Sequence, residues 1–219
     1  MGVRLTAERR REAILEAAMG LFARRGFSGV TTRELARASG ISEAMLFRHF
    51  PRKELLYRAI LQRHLVDAER AVPVAGIAES ELEPEALFRG IADAFLRRMD
   101  ADSTLLRLML FSALEGHALA REFERARGRG MRRAIQSYLR RQIRRGAVRR
   151  VDPRVAARSF LWMVAGFGIS RQIFRERGAR SYARDVLVNR LVSQFLEGIR
   201  GAASSAATAT PRRRRGSRP

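Results

Sequence analysis

Residues 42–50 (Ser-Glu-Ala-Met-Leu-Phe-Arg-His-Phe) place cationic, polar and small side chains on a segment only about two turns long. Leu46 and Phe50, four apart, form with Ile41 an apolar anchor, which leaves Glu43, Ala44, Met45, Phe47, Arg48 and His49 on the opposite side. A helix about 10–12 Å across fits a DNA major groove about 12 Å wide, so a short helix with this partition has the shape needed to reach base edges. A generic helical hairpin shows similar apolar spacing, and the pattern alone leaves both readings open. Other chemistries lack their residues. There is no glycine-rich phosphate loop and no grouping of nucleophile, base and orienter, so no catalytic residue is expected. Cysteine is absent and the three histidines, His49, His64 and His117, lie far apart, which argues against disulfides, thiol chemistry, a metal site or a cofactor.

Positioning such a helix requires neighbours, and the sequence supplies them. Residues 7–25 carry Ile14, Ala17, Ala18, Leu21 and Phe22 at helical spacing, with Thr6 to cap the start and Gly26 to end the run. Thr31-x-x-Glu34 is a capping box that opens a two-turn helix closed by Gly40, and Ser42 caps the next, which stops before Pro51. Two short helices joined at Gly40 have the layout of a helix-turn-helix. A fourth helix, 52–71, has the apolar stripe Leu55, Leu56, Ala59, Ile60 and Leu65 and ends at Pro73. Further helices are expected at 84–100, 103–116, 118–145, 153–176 and 181–200, with no strand. The fold class is therefore all-α, an N-terminal three-helix helix-turn-helix domain (1–52) joined by a connecting helix (53–72) to a C-terminal helical bundle (73–200). Residues 201–219 lack apolar periodicity and read as a disordered basic tail that contains the run Arg212 to Arg215.

Composition narrows the partners. The net charge of +22, from 44 basic against 22 acidic side chains, favours a polyanion, with nucleic acid leading. The excess is spread along the whole chain, and Lys53 is its only lysine, so coding bias contributes as well as binding. No apolar run approaches the roughly 18 residues of a membrane span, and no apolar region follows Met1 as in a secretory signal. A cytoplasmic location without a membrane partner is expected.

The run Ala13-Ile14-Leu15-x-Ala17-Ala18-x-x-Leu21-Phe22, then Arg25-Gly26-Phe27, Thr31-Thr32-Arg33-Glu34-Leu35-Ala36, Gly40-Ile41-Ser42 and His49-Phe50-Pro51-x-Lys53-Glu54-Leu55-Leu56, resembles the N-terminal domain of the tetracycline-repressor (TetR/AcrR) family of transcriptional regulators. The match covers about residues 7–60. It implies double-stranded DNA as partner, with Thr31 in the interface, phosphate contacts from Thr32, Ser42, His49 and Lys53, and base contacts from Arg33, Ala44 and Met45. The chemistry agrees, because an arginine pairs bidentately with guanine and Ala44 or Met45 can touch a thymine methyl. The family often has a Gly-Thr pair and two tyrosines where this chain has Ala44-Met45 and Phe47-Arg48, so the operator sequence does not carry over. Arg48 can replace the phosphate contact of a missing tyrosine hydroxyl.

Beyond residue 75 the pattern does not separate a ligand pocket from ordinary core. Phe95, Leu105, Met109, Phe111, Trp162, Met163 and Phe167 are the candidate lining for a small, apolar or amphipathic inducer, which the resemblance implies. The last two helices, about 153–200, are expected to form a homodimer interface through Phe160, Leu161, Val164, Phe167, Ile169, Leu187, Leu191 and Phe195. Arg133, Arg140, Arg141 and Arg144 read as a solvated basic face. The function expected is a sequence-specific repressor released from a near-palindromic operator by a ligand; the alternative is an architectural protein that coats DNA without preference. An enzyme is not expected.

Overall fold

The structure, a computed structural model, describes residues 6–71, 74–116, 121–122 and 124–199. The described residues contain no strand. Helices α1 (Ala7–Arg25), α2 (Thr32–Ala38), α3 (Glu43–His49) and α4 (Lys53–Ala71) build the N-terminal head. Helices α5 (Pro84–Ala101), α6 (Thr104–Leu114), α7 (Arg129–Arg144), α8 (Pro153–Ile169), the one-turn α9 (Arg177–Arg180) and α10 (Arg184–Ile199) build the body. Two π-helical turns, Glu124–Gly128 and Ser170–Phe174, lead into α7 and out of α8. The continuous helices expected over 118–145 and 153–176 are thus interrupted, and the last helix starts at Arg184. The basic tail and His117 lie outside the described residues.

Local chemistry explains the boundaries. The Thr6 hydroxyl accepts the Arg9 amide (3.3 Å). The Ser42 hydroxyl accepts that of Met45 (3.2 Å). The Asp102 carboxylate accepts the Thr104 amide (2.8 Å) and Asp152 that of Arg154 (2.7 Å), and Pro153 follows Asp152 as the first residue of α8.

Two clusters of buried side chains hold the molecule. The body core joins α5, α7, α8 and α10 around Phe88, Ile135, Tyr138, Phe160 and Leu191, with Phe88 at 4.7 Å from Phe160 and 4.9 Å from Phe195. The head core holds Ile14, Phe22, Leu35, Leu46, Phe50, Leu56, Tyr57 and Ile60, and it also takes in Leu108 from α6. The first half of α4 is therefore physically part of the head. Tyr57 donates its hydroxyl to the Leu108 carbonyl (3.0 Å), closing the seam between head and body.

Two expectations need correction. Phe160, Val164, Leu187 and Leu191 do not present a dimer surface, because they are 0–3 % exposed inside the body core. The outward apolar residues of this region are Val155 and Trp162 on α8, Phe174 in the π-helical turn after it, Tyr182 just before α10 and Val186 on α10. The expectation follows hydrophobicity, whereas a helix that packs on both sides has two apolar stripes and only one is left uncovered. Arg141 does not belong to a solvated basic face either. It lies against Tyr138 and donates to the carbonyls of Ala78 (2.5 Å) and Ser80, so it anchors the loop before α5.

Gly26 marks the tightest point of the seam. Its φ of +74° with ψ of −179° is a conformation that L side chains avoid, and a Cβ placed there would lie 2.5 Å from the Glu115 carboxylate and 2.9 Å from the Phe111 ring. Gly26→Ala is expected to lower stability by about 1–3 kcal/mol, read as a lower urea midpoint with an unchanged slope.

Candidate nucleic-acid interface

The α2–α3 unit is fixed by bonds that sequence spacing announces. Thr31 Oγ1 accepts the Glu34 amide (3.2 Å) and the Glu34 carboxylate accepts the Thr31 amide (2.9 Å), a reciprocal capping box. Arg25 of α1 adds an ion pair to Glu34 (2.6 Å). These partners, the Thr31 amide first and Arg25 second, hold the Glu34 carboxyl at about 2, below its ordinary 4.5. Gly40, at φ +66°, makes the turn, and Leu46 and Phe50 then drop into the head core at 2 % and 3 % exposure.

That anchoring turns the other side of α3 to solvent. Ala44, Met45, Phe47 and Arg48 are exposed and Glu43 and His49 half-buried, as the partition predicts. Phe47 at 42 % and Met45 at 36 % are large apolar groups in water, which a folded head tolerates cheaply but gains from covering. Arg33 and Ser42 are exposed alongside them, with Thr31 exposed and Thr32 half-buried at the start of α2. Of the expected residues, the structure brings Thr32 and Arg33 of α2 together with Glu43 of α3.

Besides the capping hydroxyls of Thr31 and Ser42, three more of the expected DNA residues, Thr32, Glu43 and Lys53 of α4, are already engaged. Thr32 donates its hydroxyl to Glu43 (3.1 Å), tying α2 to α3. Lys53 donates to the Val30 carbonyl (2.5 Å) and stands over the Phe27 ring at 4.2 Å, and its partial burial pushes its ammonium below the usual value. Lys53 thus braces the loop between α1 and α2, a role that a phosphate contact would have to share.

Spacing gives no signal for several residues that position this surface. Arg11 of α1 donates to the His49 carbonyl (3.3 Å) and stacks on Phe50 at 4.2 Å, pinning the end of α3. Glu115, at the end of α6, accepts the amides of Phe27 (3.0 Å) and Ser28 (3.1 Å) and so holds the α1–α2 loop from the body. These partners are separated by 38 to 88 residues, beyond any local pattern.

The candidate ligand residues are not brought together in one place. Phe95 and Trp162 line a cavity of about 300 Å³ between α5, α7 and α8, with Ile91, Met131, Leu161 and Val164. Met163 and Phe167 face, with Trp162, a separate cleft against Gly178 and Tyr182. Leu105 and Met109 pack on the head core, and Phe111 abuts Gly26. Among the described residues no group of acids and histidines is placed to hold a metal, and no helix is long and apolar enough to cross a membrane.

Known proteins share both halves of this arrangement. Residues 14–60 match the family model for bacterial regulatory proteins of the tetR family. Residues 85–198 match that for the C-terminal domain of AefR-like transcriptional repressors. The nucleoid occlusion factor SlmA of Vibrio campbellii is 32 % identical over 165 residues, covering 72 % of this chain and 81 % of that protein. The transcriptional activator FasR of Mycolicibacterium smegmatis is 32 % identical over 108 residues, 49 % of this chain and 48 % of that one. In fold, the chain is similar to PfmR from Thermus thermophilus (TM-score 0.65, 24 % identity, 84 % of this chain and 97 % of that one). It is also similar to AibR in complex with isovaleryl coenzyme A and operator DNA (TM-score 0.64, 23 % identity, 86 % and 97 %).

The Glu34 network makes a pH-dependent contribution with a definite sign. A carboxylate held below its ordinary value stabilises the fold above pH 4.5, and the gain disappears as pH falls toward about 2. The melting temperature of the wild type is therefore expected to exceed that of Glu34→Gln at pH 6. The difference should shrink on acidification through that range, as followed by circular dichroism.

Proposed function

The chain belongs to the tetR family of bacterial regulatory proteins and is a DNA-binding regulator, and from that premise we propose a homodimeric repressor that a small apolar or amphipathic ligand releases from a near-palindromic operator. The observation that carries this reading is the junction of the two halves. The surface of α2 and α3 is held from behind by Glu115 and Leu108, at the end of α6 and within it, in the body that contains the apolar cavity. The cavity is walled in part by Ile91 and Phe95 of α5, and α5 packs on α4, so a ligand that shifts α5 acts on the head through α4.

In this reading residues 1–52 read DNA, α4 connects, and residues 73–200 bind the ligand and dimerise. Arg33, Ala44 and Met45 meet base edges, while Thr31, Thr32, Ser42, His49 and Lys53 serve the backbone, with Glu43, Phe47 and Arg48 completing the surface. Arg48 supplies charge to a phosphate where Phe47 has no hydroxyl to offer. The Thr32 hydroxyl must leave Glu43 to meet a phosphate, an exchange within the interface that costs little because both groups are already half exposed. Dimerisation through α8 and α10, by way of Val155, Trp162, Tyr182 and Val186, covers exposed apolar side chains of the region and sets two α3 helices about one DNA turn apart. Ligand and DNA then oppose one another by linkage: whatever factor the ligand takes from DNA affinity, DNA takes from ligand affinity.

Selection of bound sites from random duplex DNA at near-physiological salt tests the reading. One near-palindromic motif is expected, and recovery of unenriched DNA would favour an architectural coat instead. On the selected site Arg33→Ala should cost about 1–3 kcal/mol and relax preference at one base pair per half-site. Arg48→Ala should weaken all sequences alike and make the salt dependence shallower by about one counterion per subunit. Lys53→Ala is expected to lower stability as well as affinity, because its ammonium also holds Val30.

A further inference from the structure

Two hollows meet between α7 and α8. One is the apolar cavity of about 300 Å³. The other is a cleft of about 560 Å³ lined by Arg129, Arg133, Arg140 and Arg154, together with Gln136 and Ser137. Arg132 and Arg158 stand in the walls of both, so the hollows are neighbours across two guanidinium groups.

The charge in the cleft is largely uncompensated. Arg132 is paired with Glu124, but among the described residues no carboxylate lies at ion-pair distance from Arg129, Arg133, Arg140, Arg154 or Arg158. Elsewhere the arginines of this protein are commonly struts, as Arg25 on Glu34, Arg145 on Glu81 and Arg184 on Asp93 show. Six guanidinium groups around one cleft repel one another, and an anion of one charge would relieve little of that. The guanidinium fork matches phosphate oxygens two at a time.

We infer that the two hollows form one amphipathic ligand site, which takes a short or medium apolar chain into the cavity and a phosphorylated, multiply anionic head into the arginine cleft. The inference deepens the ligand-responsive reading above and rests on it. The cavity sets the chain length, since about 300 Å³ is at the small end of ligand pockets. The cleft lies between α7 and α8 of the body, apart from the α2–α3 surface, since among the described residues the head meets the body chiefly through α1 on α6 and α4 on α5 rather than through α7 or α8. A phosphate drawn to Arg132 competes with Glu124, which sits in the π-helical turn at the cavity wall. Two residues earlier, Glu122 is bonded to Arg58 of α4 (2.9 Å), so displacement of Glu124 has a short path to the head.

Trp162, the chain's one tryptophan, lines the cavity and gives the readout, taken at a protein concentration at which the sedimentation coefficient does not change with ligand because the same residue stands at the proposed dimer face. The full-length protein is titrated by tryptophan emission with octanoyl coenzyme A, with dihexanoyl phosphatidate, and with 1-octanol and coenzyme A as the separate halves. At least one joined molecule is expected to bind about tenfold or more tightly than either half, and whichever of the two does so identifies a thioester or a lipid source. The double variant Arg133→Ala/Arg140→Ala, both exposed, should lose that advantage while keeping its affinity for 1-octanol and its melting temperature. Joined molecules that bind no better than 1-octanol, or a double variant that binds them as the wild type does, would overturn the inference. So would a double variant whose ligand-free affinity for operator DNA falls, since the cleft would then be a nucleic-acid surface. Because emission is read without DNA, failure of this site and failure of operator selection are separate results.

Discussion

The arrangement depends on one carboxylate. Glu115 accepts two backbone amides, at Phe27 and Ser28, from a loop whose approach is possible only because Gly26 has no side chain. Hydrogen bonds to an ionised acceptor are about twice as strong as neutral ones, and these two orient the loop between α1 and α2. That loop leads directly into the capping box of α2, and α2 in turn carries α3. The geometry of the exposed surface is thus referred back, bond by bond, to the end of a helix in the body. The Tyr57 hydroxyl on Leu108 and the burial of Leu108 in the head core make the same seam apolar as well as polar.

The seam joins two halves that are each closed on a core of their own. The head is rigid within itself, with α1, α2, α3 and α4 closed around Phe22 and Tyr57, whose rings meet edge to face at 4.9 Å. Among the described residues it meets the body through α6, by Glu115 and Leu108, and through α4 on α5, where Arg98 bonds His64 (3.4 Å), with the surface pair Arg58 and Glu122 beside them. Surface pairs of that kind contribute at most about 1 kcal/mol, so the hold of the body on the head rests mainly on α6 against α1 and on α5 against α4.

The head was legible in the sequence because its signals are local. Capping residues Thr6, Thr31 and Ser42, the glycines at 26 and 40, and the four-residue spacing of Leu46 and Phe50 all act over less than two turns. The body was legible as helical but not in its surfaces. Phe160 and Leu191 carry the same hydrophobic character as Trp162 and Val186, and which of them faces a neighbour depends on how α5, α7, α8 and α10 cross, which no window of sequence contains. The bracing residues were hidden for the opposite reason. Arg11, Arg141 and Glu115 look like ordinary surface charges, and only the fold brings them to a backbone group that needs a partner.

The same distinction governs the meaning of the net charge. A value of +22 spread along a chain with a single lysine says little about a partner, since arginine also serves here as a structural strut. The arginine of a strut ends on a carboxylate or a carbonyl, as Arg141 does on Ala78, and its field is largely spent inside the molecule. Arginines that meet no carboxylate among the described residues retain their field, and they include Arg33 and Arg48 on the α2–α3 surface and most of those in the cleft between α7 and α8. A surface that meets DNA and a cleft that meets a small anion require the same side chain for the same reason, the planar fork that matches phosphate. What separates them is setting: Arg33 and Arg48 are exposed on short helices of the head, whereas α7 and α8 hold their guanidinium groups around a hollow with an apolar cavity beside it.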